Sequence, residues 1–216
     1  MTKEIILHSG ETREWVLMNE PDVDWHIVQE DGSTLRLHLV CLPETAAEGK
    51  WQSTLTVEQN GKGCHTELYG MGIVRGTQEV HTLTRVLHNV GGGYSSQLFK
   101  YVLDNESRGS FKGELKILPD AQKVEAYQTN RNILLSRSAM MTTEPQLEIY
   151  ADDVKANHGA TTGQLDESAI FYMQQRCIDR ETAYKLLLCA FFDDVVRTMK
   201  DEAVQQLIDA IDSIIQ

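Results

Sequence analysis

The side chains in this sequence that could bind a metal or activate a substrate are few and scattered. Four cysteines (Cys41, Cys64, Cys177, Cys189) and seven histidines are spread over 216 residues. No two cysteines form a C-x-x-C pair, so reduced thiols are expected, most of them acting as small buried hydrophobes. Cys64 and His65 are adjacent, which on a strand sends their side chains to opposite faces, so one metal could not take both. His158 is the sharpest candidate. It stands between Asn157 and Gly159, where a turn and an accessible side chain are expected, and an imidazole can ligate a transition metal. A local hydrogen bond is its plainer use. The pair Asp152-Asp153 suggests acid/base work less than it suggests turn and cap hydrogen bonds.

Other chemistries find no foothold. Gly91-Gly92-Gly93 fits neither a dinucleotide fingerprint nor a P-loop, and no helical pattern follows it, so a tight bend or a close backbone approach is expected. Neither G-x-S-x-G nor H-E-x-x-H occurs. A formal net charge of -12, from 32 acidic against 20 basic residues, makes nucleic acid and anionic membrane poor partners. The apolar run Ile5 to Leu7 is too short for a signal peptide or a spanning helix, and a cytoplasmic location is expected.

The elements that must position these groups change character along the chain. Up to about residue 150 short strand-like runs dominate: Thr34 to Leu42, Thr54 to Val57, Leu68 to Val74, Val80 to Leu87, Gln97 to Leu103, Phe111 to Ile117, Val124 to Gln128 and Ile133 to Leu135. Turn residues, including Asn130, separate them. The pattern is mainly β but does not by itself separate a sandwich, a jelly roll and a β-helix. From Asp166 the period becomes helical. Asp166, Asp179 and Asp201 are candidate N-caps. Ala183, Leu186, Leu187, Ala190, Phe191 and Val195 form one apolar stripe, and Val204, Leu207, Ile208, Ile211 and Ile215 form another.

One segment ties the two halves together. Leu147 to Asp166, LEIYADDVKANHGATTGQLD, resembles the signature of the SufB/SufD family of iron-sulfur cluster assembly proteins. Phe171, Tyr172 and Arg176 follow it in the family's order. Upstream, His88, Ser95, Gln97, Lys100, Phe111, Gly113, Gln128 to Asn132 and Leu134 to Ser136 keep the family's spacing, so the likeness covers about half the chain. The resemblance implies a right-handed parallel β-helix over residues 1–160 and a C-terminal helical subdomain over 161–216 that docks onto an ATPase. Ile5 already reads as strand, so this sequence lacks the helical N-terminal region that the resemblance implies, either as a short form or because that region was left off.

The function so implied is that of a non-catalytic scaffold in iron-sulfur cluster assembly. Its expected partners are a SufC-type ABC ATPase, gripped through Phe171, Tyr172, Arg176, Leu187 and Phe191, and a SufB-type or identical subunit met by the β-helix. No cofactor is expected to be held tightly, although an iron-sulfur cluster could pass through a subunit interface. By resemblance His158 lies near that interface and becomes the candidate iron contact. Two departures qualify the likeness. Ala156 stands where many members have a cysteine two residues before the histidine, which removes a soft second ligand. Cys177 replaces a glycine expected to end a helix in the left-handed conformation, at a cost of roughly 1 kcal/mol. The alternatives are a cupin-like metalloenzyme built on His38, His65, His81 and His88, weakened by the lack of an H-x-H pair, and a homodimeric relative without assembly activity.

Overall fold

A computed structural model describes residues 2–42, 49–199 and 201–215; the side chains of 201–203, 214 and 215, including Ile215 of the second stripe, lie outside it. Twelve strands precede three helices: β1 (Lys3–Leu7), β2 (Thr12–Met18), β3 (Asp22–Gln29), β4 (Thr34–Cys41), β5 (Lys50–Gln59), β6 (His65–Val74), β7 (Glu79–His88), β8 (Tyr94–Leu103), β9 (Arg108–Ile117), β10 (Val124–Leu134), β11 (Met140–Ile149), β12 (Val154–Gly163), α1 (Glu167–Gln174), α2 (Arg180–Val196) and α3 (Asp201–Ile215). Odd strands form one six-stranded sheet in the order β1-β3-β5-β7-β9-β11. Even strands form the other, β12-β10-β8-β6-β4-β2. Every pairing is parallel. The chain therefore winds as a parallel β-solenoid, and the β-helix expectation holds.

Alternation explains the winding. In β7 every second residue is buried and the rest are half exposed, so each strand sends one face inward and one outward. In-register stacking turns these positions into rows along the solenoid. One inward row runs Trp15, Leu37, Leu68, Gln97, Gln128, His158. Its counterpart in the other sheet runs Lys3, Trp25, Leu55, Thr84, Gly113, Pro145. The interior is filled by Leu35, Leu37, Leu55, Val57, Leu68, Phe99, Tyr101, Phe111 and their neighbours, all buried. A Cβ on Gly70 would lie 2.1 Å from the Phe99 ring and one on Gly72 2.9 Å from Tyr101. Small residues there make room for large ones on the next rung.

Three readings of the sequence are corrected. Asn130 does not break a strand: it sits inside β10, where its amide donates to the Phe99 carbonyl at 3.2 Å and its oxygen accepts from Asn132 at 2.7 Å. His158 is not on a turn but inside β12. In α2 the buried residues are Ala183, Leu188, Phe192 and Val195, whereas Leu186 is 45% exposed and Ala190 is exposed. The buried sector is rotated from the expected stripe because this helix packs on α3 and on the outer face of the even sheet at once. That second core joins Val40, Leu42, Met71, Ile73 and Val102 of the sheet to Leu188, Phe192, Val195, Leu207 and Ile211 of the helices. The Gly91 to Gly93 bend is the close approach expected: a Cβ on Gly91 would meet the Gln122 carbonyl at 2.5 Å. No helix among the described residues is long and apolar enough to cross a membrane.

Asp166 and Asp179 cap α1 and α2 as their positions imply, accepting from the amides of Ser168 and Thr182, each at 2.8 Å. Asp201 is the first residue of α3. Cys177 adopts φ +63°, the left-handed turn expected between the first two helices.

Candidate functional site

The two ends of the solenoid differ in how they close. At the first rung two of the inward rows, those through Trp25 and Leu35, end on cations, while the others end on Ile5, Leu7, Trp15 and Leu17. Lys3 places its ammonium 4.1 Å from the centre of the Trp25 ring, and Arg13, in register with buried Leu35, pairs with Glu11 at 2.5 Å. Trp15 and Trp25 meet edge to face with ring centres 5.5 Å apart. Inward-pointing cations of this kind protect an edge from further pairing.

The last rung has no such guard. Its inward positions are Met141, Thr143, Pro145, Leu147 and Ile149 on β11 and Val154, Ala156, His158, Ala160 and Thr162 on β12. None is charged. Each strand pairs on one side alone, β11 with β9 and β12 with β10, so a row of backbone amides and carbonyls faces outward. Pro145 on β11 and the exposed Lys155 on β12, paired with Glu125 at 2.7 Å, are edge-strand devices here, but neither places a charge on the inward face. Tyr150 and Met140 are 57% and 54% exposed nearby. His158 is exposed in this mouth, on the row that deeper in the solenoid carries Gln128 and Gln97, both buried. Ala156 lies two positions away on the same inward face, so a cysteine there would have pointed into the same opening. Gly159, facing outward, leaves a shallow cleft of about 210 Å³ edged by Tyr127, Arg131, Asn157 and Thr161.

The helices carry a second surface. Phe171 and Tyr172 on α1 are 61% and 56% exposed. The Arg176 guanidinium lies 3.4 Å from the centre of the Tyr172 ring and donates to the Tyr172 carbonyl at 3.1 Å, so these three predicted contacts form one stiffened patch. Leu187 is half-buried. Phe191 is turned toward the solenoid, against Phe192 and under the ammonium of Lys100 at 4.9 Å. His158 lies apart from all five, in the mouth.

Lys100 joins this surface to the solenoid and was not singled out by its residue type alone. It is 3% exposed, donates to the Phe191 carbonyl at 2.5 Å and pairs with Asp194. Two carboxylates, Asp193 and Asp194, stand near the C-terminal end of α2, whose last turn has no basic residue. That is the unfavourable end for negative charge. Arg197 pairs with the first at 2.8 Å and the solenoid supplies the cation for the second. The available signal was a lone lysine in the apolar stretch of β8.

The four histidines of the metalloenzyme alternative do not converge. His88 points inward, donating to or accepting from Ser95 at 2.8 Å, and burial drives its pKa down to about 4. His38 lies under the helices, stacked on Tyr69 and 2.8 Å from the Thr198 hydroxyl, with burial again lowering its pKa. His65 stacks on Tyr94 on the outside of the even sheet. His81 stands on the outside of the odd sheet, 2.8 Å from Ser110 Oγ and 3.1 Å from Glu79. That serine, histidine and glutamate follow triad order, but the serine's strand, β9, is paired on both sides, so the amides beside Ser110 are committed to the ladder and do not form an oxyanion site. Burial raises the pKa of Cys41 to about 12 and pushes Cys64 and Cys189 up as well; these thiols are poor nucleophiles.

These features define the class of the fold: a parallel β-solenoid with a helical appendage on its flank. Residues 23–191 match the family model described as SUF system FeS cluster assembly, SufBD core domain, and the chain belongs to that family. It is 33% identical over 151 residues to the iron-sulfur cluster assembly protein SufD of Escherichia coli, covering 70% of this chain and 36% of that protein. To the SufD of Bacillus subtilis it is 30% identical over 167 residues, 76% and 38%. To the chloroplastic protein ABCI7 of Arabidopsis thaliana it is 31% identical over 193 residues, 86% and 40%. The matched chain thus spans between a third and two-fifths of the length of these relatives.

Proposed function

We propose that this chain is a non-catalytic scaffold subunit of a Suf-type iron-sulfur cluster assembly complex. The observation that carries the reading is a difference between the two ends of the solenoid: both leave strand edges unpaired, but the first rung turns two cations inward, Lys3 and Arg13, while every inward position of the last is uncharged. Such an edge invites strand addition by another chain, here a SufB-type subunit or a second copy. His158, in that mouth, would meet the iron or sulfur of a cluster passing through the seam as cargo. The chain's own ligand set is thin, because Ala156 offers no thiolate, which supports transient contact over stable holding.

The helical patch of Phe171, Tyr172, Arg176 and Leu187 fits a SufC-type ABC ATPase, with Phe191 acting beneath it as a support. Lys100 and His38 tie this appendage to the sheet, so movement of the helices would be passed to the solenoid and its mouth. The test is co-expression with a SufB-type subunit and a SufC-type ATPase, followed by light scattering on the purified assembly. Ala160→Lys, an inward charge on β12, is expected to remove the solenoid partner and keep the ATPase. Phe171→Asp is expected to do the reverse. If both variants retain both partners, the reading fails.

A further inference from the structure

Resting on the proposal that His158 is the working group of the open mouth, we infer that Gln128 is its positioning residue, and that a ladder of buried amides makes the His158 ring donate outward. The inward row Gln97, Gln128, His158 stands in register on three neighbouring strands, about 4.8 Å apart. Gln97 and Gln128 are each 1% exposed. The Thr84 hydroxyl donates to Gln97 Oε1 at 2.6 Å. Beyond that bond Gln97 Nε2, Gln128 Oε1 and Gln128 Nε2 have no partner. A buried amide left unpaired is costly, and native structures keep such groups for a reason.

The unpaired atoms are complementary when taken in order. Gln97, its oxygen engaged by Thr84, has N–H to offer toward the mouth, and Gln128 Oε1 can accept it. Gln128 Nε2 would then have its own N–H left to offer to the next member of the row, the His158 ring. Parallel in-register strands support such glutamine ladders because the repeat matches one amide-to-amide hydrogen bond. Room for Gln128 is made across the interior by Gly113, whose Cβ, if present, would lie 2.1 Å from Gln128 Nε2. The polarity has a chemical consequence. A ring nitrogen that accepts from Gln128 fixes the proton on the other nitrogen, the one facing out of the mouth. His158 then offers an N–H to an electron-rich sulfur, a bridging sulfide or a partner's thiolate, rather than a lone pair to iron. An outward lone pair would need an acceptor behind the ring, the arrangement usual for metal-ligating histidines.

Ring-tautomer measurement by long-range 1H–15N correlation at pH 8 on the full chain tests this, with His158→Asn used to assign the signals. One tautomer is expected to dominate at His158 in the wild type. Gln128→Leu is expected to relax it to a mixture, and Gln128→Glu, which can only accept when ionised, to reverse the preference. An unchanged tautomer in Gln128→Leu overturns the positioning role. The same dominant tautomer in wild type and Gln128→Glu overturns the donor polarity; should the glutamate variant not fold, zinc titration followed at the His158 signals of the wild type decides polarity, since tight binding there requires an outward lone pair. No partner is present in these measurements, so their outcome is separate from that of the co-expression test.

Discussion

Acid should destabilise this protein in part through a histidine in its interior, a loss separable from those of His38 and the paired carboxylates. His88 is fully buried, between Gln59 and Ile117 in its row, with Ser95 as its one hydrogen-bond partner and Nδ1 unpaired. Burial lowers its pKa from 6.5 to about 4. The folded protein therefore keeps the ring neutral while the unfolded chain takes up a proton below pH 6.5. Stability from this site is fully present above pH 6.5, falls as the pH drops, and stops falling near pH 4. At 1.36 kcal/mol per pH unit the full loss is about 3 kcal/mol, of which about 2.5 is realised by pH 4.5. Urea unfolding at pH 7.5 and 4.5 should show this loss in the wild type and not in His88→Gln, whose amide can still bond Ser95 but does not titrate. Paired or capping carboxylates such as Glu114 and Asp179, held below their ordinary pKa, lose stability in both proteins and cancel in the difference. Equal pH dependence of the two proteins, within about 0.5 kcal/mol, would refute the assignment.

Three further outcomes are expected. Phe192→Ala, emptying the core between helices and sheet, should cost about 3–5 kcal/mol in urea unfolding, with the loss of amide protection concentrated in α2 and α3. Lys100→Ala should speed hydrogen exchange in α2 more than in β8, since the strand keeps both neighbours while the helix loses its cation; equal acceleration in both would argue against a latch. Cys177→Gly, relieving a side chain at φ +63°, should stabilise the chain by about 1 kcal/mol or slightly less, seen as a higher urea midpoint.

How much of this was legible in the sequence depended on where each residue's partners lie. Strands buried on their inner face, such as β7 and β9, announce themselves because alternation survives along their whole length. β11 and β12 do not, since at an open end neither face is fully covered and the inward side mixes Met141, Leu147, Ile149 and Val154 with threonine, alanine, proline and histidine. Asn130 reads as a turn residue because its usual role is local, yet here the Phe99 carbonyl on the adjacent rung satisfies its amide. The helix starts were readable from Asp166 and Asp179, whose bonds are made within three residues. Which face of α2 is buried was not, because Phe191 and Phe192 are both large and apolar and the choice is made by a sheet encoded some 90 positions earlier. The fold as a β-helix came from the resemblance and not from periodicity, which treats parallel and antiparallel strands alike.

The stacked rungs also make the molecule a ruler. Lys100, where the helices are fastened, sits on β8, and His158 on β12, two steps along the same sheet, about 10 Å at the spacing of neighbouring strands. That separation is quantised. Loops may lengthen freely between rungs without altering it, but gaining or losing a whole turn of the coil would shift the mouth by about 5 Å relative to the fastening point. Variation in loop length should therefore be tolerated by any assembly this chain joins, while variation in rung number between fastening and mouth should demand a matching change in the partner.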